Sequence, residues 1–437
     1  MSGMKLLCCL FCLVFYPVFS QYYGQPEQVH LSYGVTPQQM IVTWVTMSES
    51  NSSIVEYGQN GLDQVAYGTE TKFVDSGEEK RVIFIHRVTL NDLIPEKMYK
   101  YHCGGKFGWS GIYTFTAMKD STEWSPRLLV YGDFGNVNSQ SMARIQQETQ
   151  RGHFDAVLHV GDIAYNLDTS NGRIGDAFMR QIETVAAYVP YMTCPGNHEA
   201  AYNFSHYKYR FNMPGDEQKN MYYSFNMGPA HIISFSTEYY YEVSYGWSQI
   251  FTQYFWLEKD LQEANKPENR AKRPWIIVFG HRPMYCSNAD DPTMCSNIDN
   301  YVRVGIPHVH AFSLEDLFYK YGVDLHFYGH EHSYERMWPV YNRKVCNGSN
   351  DEPYHNPPAP VHVVTGSAGC DEGEDPFISN GLPWSAFRSD DYGYTRMNII
   401  NSTHLYLEQV SDDKDGAVID KMLLIKEKHG MGTFNCH

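Results

Sequence analysis

Cations are scarce in this chain: 34 Lys and Arg stand against 50 Asp and Glu, a net charge of −16 at pH 7. That deficit argues against nucleic acid or an anionic membrane surface as a partner. An anionic substrate would need a local centre of positive charge, which a metal site supplies. Long apolar runs are also lacking. The one run, "MKLLCCLFCLVFYPVFS" at residues 4–20, is short for a bilayer span and contains Pro17. With Lys5 ahead of it and small residues before Gln21, it reads as a secretory signal peptide over residues 1–20. Its removal takes away one positive charge and three of the ten cysteines. The seven cysteines beyond it contain no C-x-x-C, which favours disulfides over zinc fingers. The expected bridges are Cys286 with Cys295 and Cys346 with Cys370, the odd count leaving a free or intermolecular thiol. Repeats of 20–50 residues are absent, and the aromatic cluster "EYYYE" at 238–242 is the sole low-complexity segment.

What is present suits a globular chain of two or three domains, with 437 residues and 43% hydrophobic content. Four Asn-x-Ser/Thr sequons, at Asn51, Asn203, Asn347 and Asn401, are compatible with glycosylation on a secretory route to the lysosome or the exterior. Residues 21–122 read as strands, among them "QMIVTWVTM" and "KRVIFIHRVTL". They suggest a fibronectin III-like β-sandwich with Trp44 in its core and Tyr99 or Tyr101 at a strand corner. The texture then changes. "RLLVYGD", "FDAVLHVGD", "PYMTCPGNH", "WIIVFGH", "VDLHFYGH" and "VHVVTG" are short buried-strand patterns. Helical spacing appears in "SQSMARIQQETQRG" and in "FTQYFWLEKDLQEANK", whose aromatic stripe reads as core. This alternation predicts an α/β sandwich over 123–395, and the strand-like "HLYLEQV" and "DKMLLIKEK" predict a C-terminal β segment over 396–437.

The stretch "GHEHSYER" at 329–336 is not the helical zinc motif H-E-x-x-H, because Tyr334 occupies the position of the second histidine. In an extended segment His330 and His332 share a face, and Glu331 points away as a spacer. Other strand ends supply partners: Asp133 in "GDFG", Asp162 and Tyr165 in "GDIAY", Asn197 and His198 in "GNHE", and His281 in "VFGHRP". Taken singly, each has a plain reading as a turn, cap or packed aromatic. Together they exceed the roughly four ligands one zinc takes and fit two metals in a crevice at the carboxyl ends of strands.

The ordered series GD-x-G, GD-x-x-Y, GNH-E, V-x-x-H and GH-x-H resembles the calcineurin-like metallophosphoesterases. Within them it is similar to the long, two-domain purple acid phosphatases. Gly135 stands where the superfamily's D-x-H histidine would be, and Tyr165 replaces that imidazole with a phenol, a hard anionic donor that favours a trivalent ion. The resemblance implies a multi-domain α+β and α/β architecture, in which a calcineurin-like α/β/β/α sandwich carries a binuclear site. It assigns Asp133, Tyr165 and His332 to Fe(III), Asn197, His281 and His330 to a divalent ion, and Asp162 to the bridge. Zinc is the first expectation for the divalent ion, with iron or manganese as alternatives.

The implied activity is acid hydrolysis of small phosphate monoesters by attack of a metal-held hydroxide. Diester or nucleotide diphosphate hydrolysis on the same centre is the alternative, and a non-catalytic metal-binding glycoprotein is the third reading. A homodimer is compatible with the family. His198 is expected to contact phosphate or the leaving oxygen, or else to orient a ligand. One departure stands out: Asp290 and Asp291 occupy the place of the plant members' His-His pair. Arg282, His308 or His310 could supply the missing charge, which leaves the group that protonates the leaving oxygen open.

Overall fold

Runs of β-branched and aromatic residues build the first hundred residues into two facing sheets. The computed structural model describes residues 22–215, 219–289, 294–306 and 308–436, so the leader and the Asp290–Asp291 pair lie outside the described residues. One sheet is antiparallel in the order Glu27–Tyr33, Met40–Thr46, Val82–Leu90, Thr69–Val74. The other runs Gln64–Tyr67, Ile54–Gly58, Met98–Gly105, Gly108–Trp109, with Tyr113–Thr116 also on Met98–Gly105. Trp44 is fully buried and stacks on His86 at 4.9 Å between ring centroids. The two tyrosines left open by the sequence divide their work. The Tyr99 hydroxyl accepts from the Ile94 backbone N–H at 2.9 Å, closing the strand corner, whereas the Tyr101 hydroxyl donates to Ala187 O at 2.7 Å in the second half of the chain.

That second contact belongs to a polar seam between the sandwich and the helices Thr169–Ala186 and Ala201–Arg210. Val29 N–H donates to Glu183 (3.0 Å), Arg180 meets Glu27 (2.6 Å), and buried His206 meets Asp75 (2.8 Å). Arg210, 1% exposed, pairs with Asp176 at 2.8 Å, and Arg81 of the sandwich pairs with the same carboxylate.

The remaining chain forms two larger sheets. All six strands expected from the sequence are present and almost wholly buried. The first sheet runs Tyr191–Cys194, Ala156–Val160, Arg127–Tyr131, Gly393–Ile399, His404–Ser411, Ala417–Ile425. The second runs Tyr223–Met227, Ala230–Ser234, Trp275–Phe279, Leu325–Tyr328, Val361–Thr365, Tyr334–Met337, Ser385–Ser389. The three strands before Cys194 pair in parallel, as do the four from Ala230 to Thr365 in the second sheet. Each set therefore brings its carboxyl ends to one edge. The C-terminal strands pair onto Arg127–Tyr131 through Gly393–Ile399 and complete the first sheet.

Two expectations are corrected. Cys346 is bridged to Cys436, not to Cys370. Cys370 lies at the ligand edge with its sulfur 3.4 Å from His332 Nδ1, and it remains a buried free thiol together with Cys103 and Cys194. The Cys286–Cys295 bridge is present as expected. The aromatic stripe of helix Ser248–Ala264 is not all core: Ile250, Leu257 and Leu261 are buried, whereas Phe255 is 59% exposed and packs edge-on against Phe312.

Candidate metal centre and its open face

The ligand candidates follow their strands at a fixed remove. Asp133, Asp162, His281 and His330 each stand two residues beyond Arg127–Tyr131, Ala156–Val160, Trp275–Phe279 and Leu325–Tyr328. Asn197 begins the short 3-10 turn Asn197–Glu199 after Tyr191–Cys194, and His332 lies between two strands of the second sheet. The chain must turn sharply at once to aim these side chains into the crevice. Asp133, Asp162, Tyr165 and His330 all have positive φ, between 46° and 72°. Non-glycine residues rarely sit there, and such strain gathers at functional sites. Asn197 is not among them. The adjoining glycine at 196 serves another purpose: a Cβ on Gly196 would collide with the Asp162 carboxylate, so only glycine lets the two loops close.

All seven candidates come together, in two groups. Tyr165 Oη is 3.1 Å from Asp133 Oδ1 and 2.8 Å from His332 Nε2, and the last two are 3.7 Å apart. In the second group His281 Nε2 lies 3.0 Å from Asp162 Oδ2, 3.1 Å from Asn197 Oδ1 and 3.3 Å from His330 Nδ1. Outer partners fix two rings. His281 Nδ1 donates to Val160 O (3.0 Å) and His332 Nδ1 to Gly373 O (2.8 Å), which turns both Nε2 atoms toward the cluster. Asp375 accepts from the His332 backbone N–H at 2.6 Å.

Glu199, quoted in the "GNHE" motif but given no role by the sequence, braces two ligand loops at once. Its carboxylate accepts from Ile163 N–H and from Gly196 N–H, each at 2.9 Å. Glu331 turns away, as expected, and its carboxylate packs 3.4 Å and 3.6 Å from the sulfurs of the Cys295–Cys286 bridge.

The electrostatics are those of a donor set holding protons in place of cations. Burial pushes the Asp133 carboxyl up to about 7, although His281 and His332 oppose it. Burial, together with the Asp133 and Asp162 carboxylates, drives the Tyr165 phenol well above its ordinary value. Burial would lower His281, but the Asp162 carboxylate prevails and holds it at about 10. Burial would likewise lower His332; Cys370 and Asp133 lift it to about 11. Two carboxylates, a phenol, an amide oxygen and three imidazoles pressed together in this way fit a pair of cations, which would displace those protons.

Tyr165, Asn166, Asn197, His198 and His330 are half-exposed and form the open face, while Asp133, Asp162, His281 and His332 are buried behind them. The His198 ring packs at a tilt with its centroid 4.3 Å from that of Tyr165, bonds Asn166 Oδ1 through Nδ1 at 2.7 Å, and turns Nε2 to within 3.7 Å of Glu372 and 3.8 Å of Asp162. Arg282 joins this face through His330 (3.0 Å). His310 is exposed and paired with Asp299 at 3.2 Å, His308 is exposed, and among the described residues neither bonds to the ligand set. Of the sequon asparagines, Asn51, Asn203 and Asn401 are exposed and Asn347 is half-buried.

Three family models match in chain order. They are the purple acid phosphatase N-terminal domain over residues 26–117, calcineurin-like phosphoesterase over 126–334, and iron/zinc purple acid phosphatase-like protein C over 359–421. Acid phosphatase type 7 of Danio rerio is 58% identical over 93% of this chain and 92% of its own length. That of Homo sapiens is 54% identical over 93% and 92%. Among solved structures, purple acid phosphatase PPD1 from yellow lupin (Lupinus luteus) seeds superposes with a TM-score of 0.75 at 25% identity, covering 92% of this chain and 74% of that one. With matching models along its length and relatives of this closeness, the chain belongs to the purple acid phosphatase family of calcineurin-like phosphoesterases.

Proposed function

We propose that this phosphoesterase is an acid phosphatase for phosphate monoesters, working at an Fe(III)–M(II) pair. The observation that carries the reading is the division of seven donors into two groups, one of which sets a phenol beside a carboxylate and an imidazole. Asp133, Tyr165 and His332 would hold Fe(III), and Asn197, His281 and His330 the divalent ion. Asp162 would lie between them. We take zinc as the divalent ion, since imidazole and amide oxygen suit it, with iron and manganese as the other candidates. When bound, such a pair supplies Lewis acidity to water and to phosphate oxygens.

The chain's own residues supply orientation and proton handling. The Asn166 amide oxygen accepts from His198 Nδ1–H, so Nε2 is the atom presented to the open face. There it can give a proton to the leaving oxygen or hold it by a hydrogen bond. The ring of Tyr165 beneath His198 limits its swing. The buried Glu199 carboxylate keeps the loops of Asp162 and Asn197 in register while substrate enters and leaves. We also propose passage through the secretory pathway, in keeping with the apolar leader, the three exposed sequon asparagines and the two disulfides.

Parallel turnover measurements in acid medium on a monoester, a diester and ATP test the proposal. The monoester should be hydrolysed fastest. Diester turnover far above the other two would overturn the assignment.

A further inference from the structure

The segment "EYYYE" has no role in the ligand set, yet it builds a cradle beside it. Its first residue, Glu238, is fully buried and accepts from Arg282 Nε at 2.9 Å. Its fourth, Tyr241, lays its ring 4.3 Å from the Arg282 guanidinium carbon. Thr237, just before the segment, accepts from the Arg282 backbone N–H at 2.9 Å through Oγ1. The segment can approach because residue 280 is glycine; a Cβ there would press on Phe235 and Thr237 at 2.9 and 3.0 Å. One terminal nitrogen, Nη1, meets His330 Nε2 at 3.0 Å, and among the described residues Nη2 has no hydrogen-bond partner. The side chain is 14% exposed.

A guanidinium is a long, mobile group, and holding it by an ion pair, an aromatic face and a backbone anchor removes most of its rotamer freedom in advance. Such fixing serves little if the group only neutralises Glu238, since replacing a buried ion pair by apolar side chains is often neutral or stabilising. It does serve recognition, because a guanidinium nitrogen already in place donates to a phosphate oxygen at low entropic cost.

Nη1 stays on His330, and Nη2 is the guanidinium nitrogen left to meet a ligand among the described residues.

We propose that Arg282, cradled by Glu238 and Tyr241, binds a non-bridging oxygen of the substrate phosphate and selects monoesters, which carry three such oxygens, over diesters, which carry two. The inference rests on the phosphatase reading above and adds to it the group that replaces the positive charge missing from this chain's Asp290–Asp291 loop.

The test compares the wild type with Arg282→Gln and with the double variant Arg282→Gln/Glu238→Gln, which removes both members of the buried pair and so leaves no unpaired charge to unfold the site. Metal content, kcat, KM for p-nitrophenyl phosphate and for bis(p-nitrophenyl) phosphate, and the inhibition constant of inorganic phosphate are measured on each. At unchanged metal content, the monoester KM and the phosphate inhibition constant should rise about tenfold to a hundredfold, the scale of one charge-assisted contact, with a smaller change for the diester. Constants within about twofold of wild type would overturn the proposal, twofold being well under the effect of one such contact. Loss of metal from the double variant would overturn it as well, since Arg282 would then be a support of His330. Should the wild type hydrolyse no monoester, the phosphatase reading fails by itself. Calorimetric titration of inorganic phosphate into the same proteins then still decides whether Arg282 binds it.

Discussion

Asp162 and His281 leave different sheets, yet Oδ2 of one stands 3.0 Å from Nε2 of the other. Their contact is where the two parallel strand sets meet. Asp162 is therefore both a joint of the fold and an anionic donor shared by the site. Its other oxygen accepts from the His198 backbone N–H at 2.9 Å, so the open face hangs on the same carboxylate. Asp162→Asn keeps the shape and removes the charge. The expected outcome is fewer than two metal atoms per chain and an activity loss of at least about a hundredfold, above the range usual for outer partners. Full metal content by elemental analysis would remove Asp162 from the ligand set.

The phenol of Tyr165 gives a second, spectroscopic expectation. Burial and two carboxylates hold it protonated in the metal-free cluster, so only a strongly polarising cation can take the phenolate. The purified wild type should carry about two metals and a visible absorption band, the number expected of a two-metal site. Tyr165→Phe, which keeps the ring against His198, should weaken or shift the band. A colourless wild type with one metal and full phosphatase activity would refute an iron–tyrosinate site.

The strand ends were legible because buried parallel strands are continuous apolar runs, and glycine followed by a ligand-type residue marks where each stops. Asp133, Asp162, Asn197, His281 and His330 could thus be read before any coordinate was known. Helix Thr169–Ala186 could not, since it opens with Ser170, Asn171 and Gly172 in left-handed conformations that hide its periodicity. Pairwise facts were also out of reach. Glu199 braces Asp162's loop across thirty-six positions, and Glu238 finds Arg282 across forty-four. Neither spacing has a local signature, because each pair joins the loops after neighbouring parallel strands of one sheet and forms only once those strands pair.

The cysteines illustrate the same limit and give a third expectation. Nearness in sequence favoured Cys346 with Cys370, but the C-terminal tail returns to place Cys436 on Cys346, a separation of 90 residues. Peptide mapping without reduction should recover the 346–436 and 286–295 links and an alkylatable thiol at Cys370 after unfolding. On the loop-entropy estimate, the long bridge is worth about 4–5 kcal/mol and the short one, nine residues apart, about 2–3 kcal/mol. Cys436→Ser should therefore lower the melting temperature more than Cys295→Ser. The reverse order would place the long bridge's loop already ordered in the unfolded chain.

Stability should fall as the medium turns acid, although the proposed activity is an acid one. In the sandwich, burial pushes the His30 and His86 imidazoles down to about 4. His86 is held neutral between two hydroxyls, Thr46 Oγ1 and Ser53 Oγ, each at 2.9 Å. In the unfolded chain both rings would titrate near the ordinary value of 6.5. Between that value and about 4, the unfolded state binds protons that the folded state refuses. Stability is then greatest above the upper limit and declines as pH falls, by about 3 kcal/mol for each ring across the window. Asp324 acts in the same sense but lower in pH. Burial would raise its carboxyl, but Lys426, His429 and Arg270 outweigh burial and hold it far below the usual range. Its contribution is full above the unfolded carboxylate value and is lost progressively as pH falls below it. Melting curves from pH 7 to pH 4 on wild type and His86→Gln separate these terms, since glutamine can bond both hydroxyls without titrating. The variant's profile should be flatter with acid, and parallel profiles would place the loss in other groups.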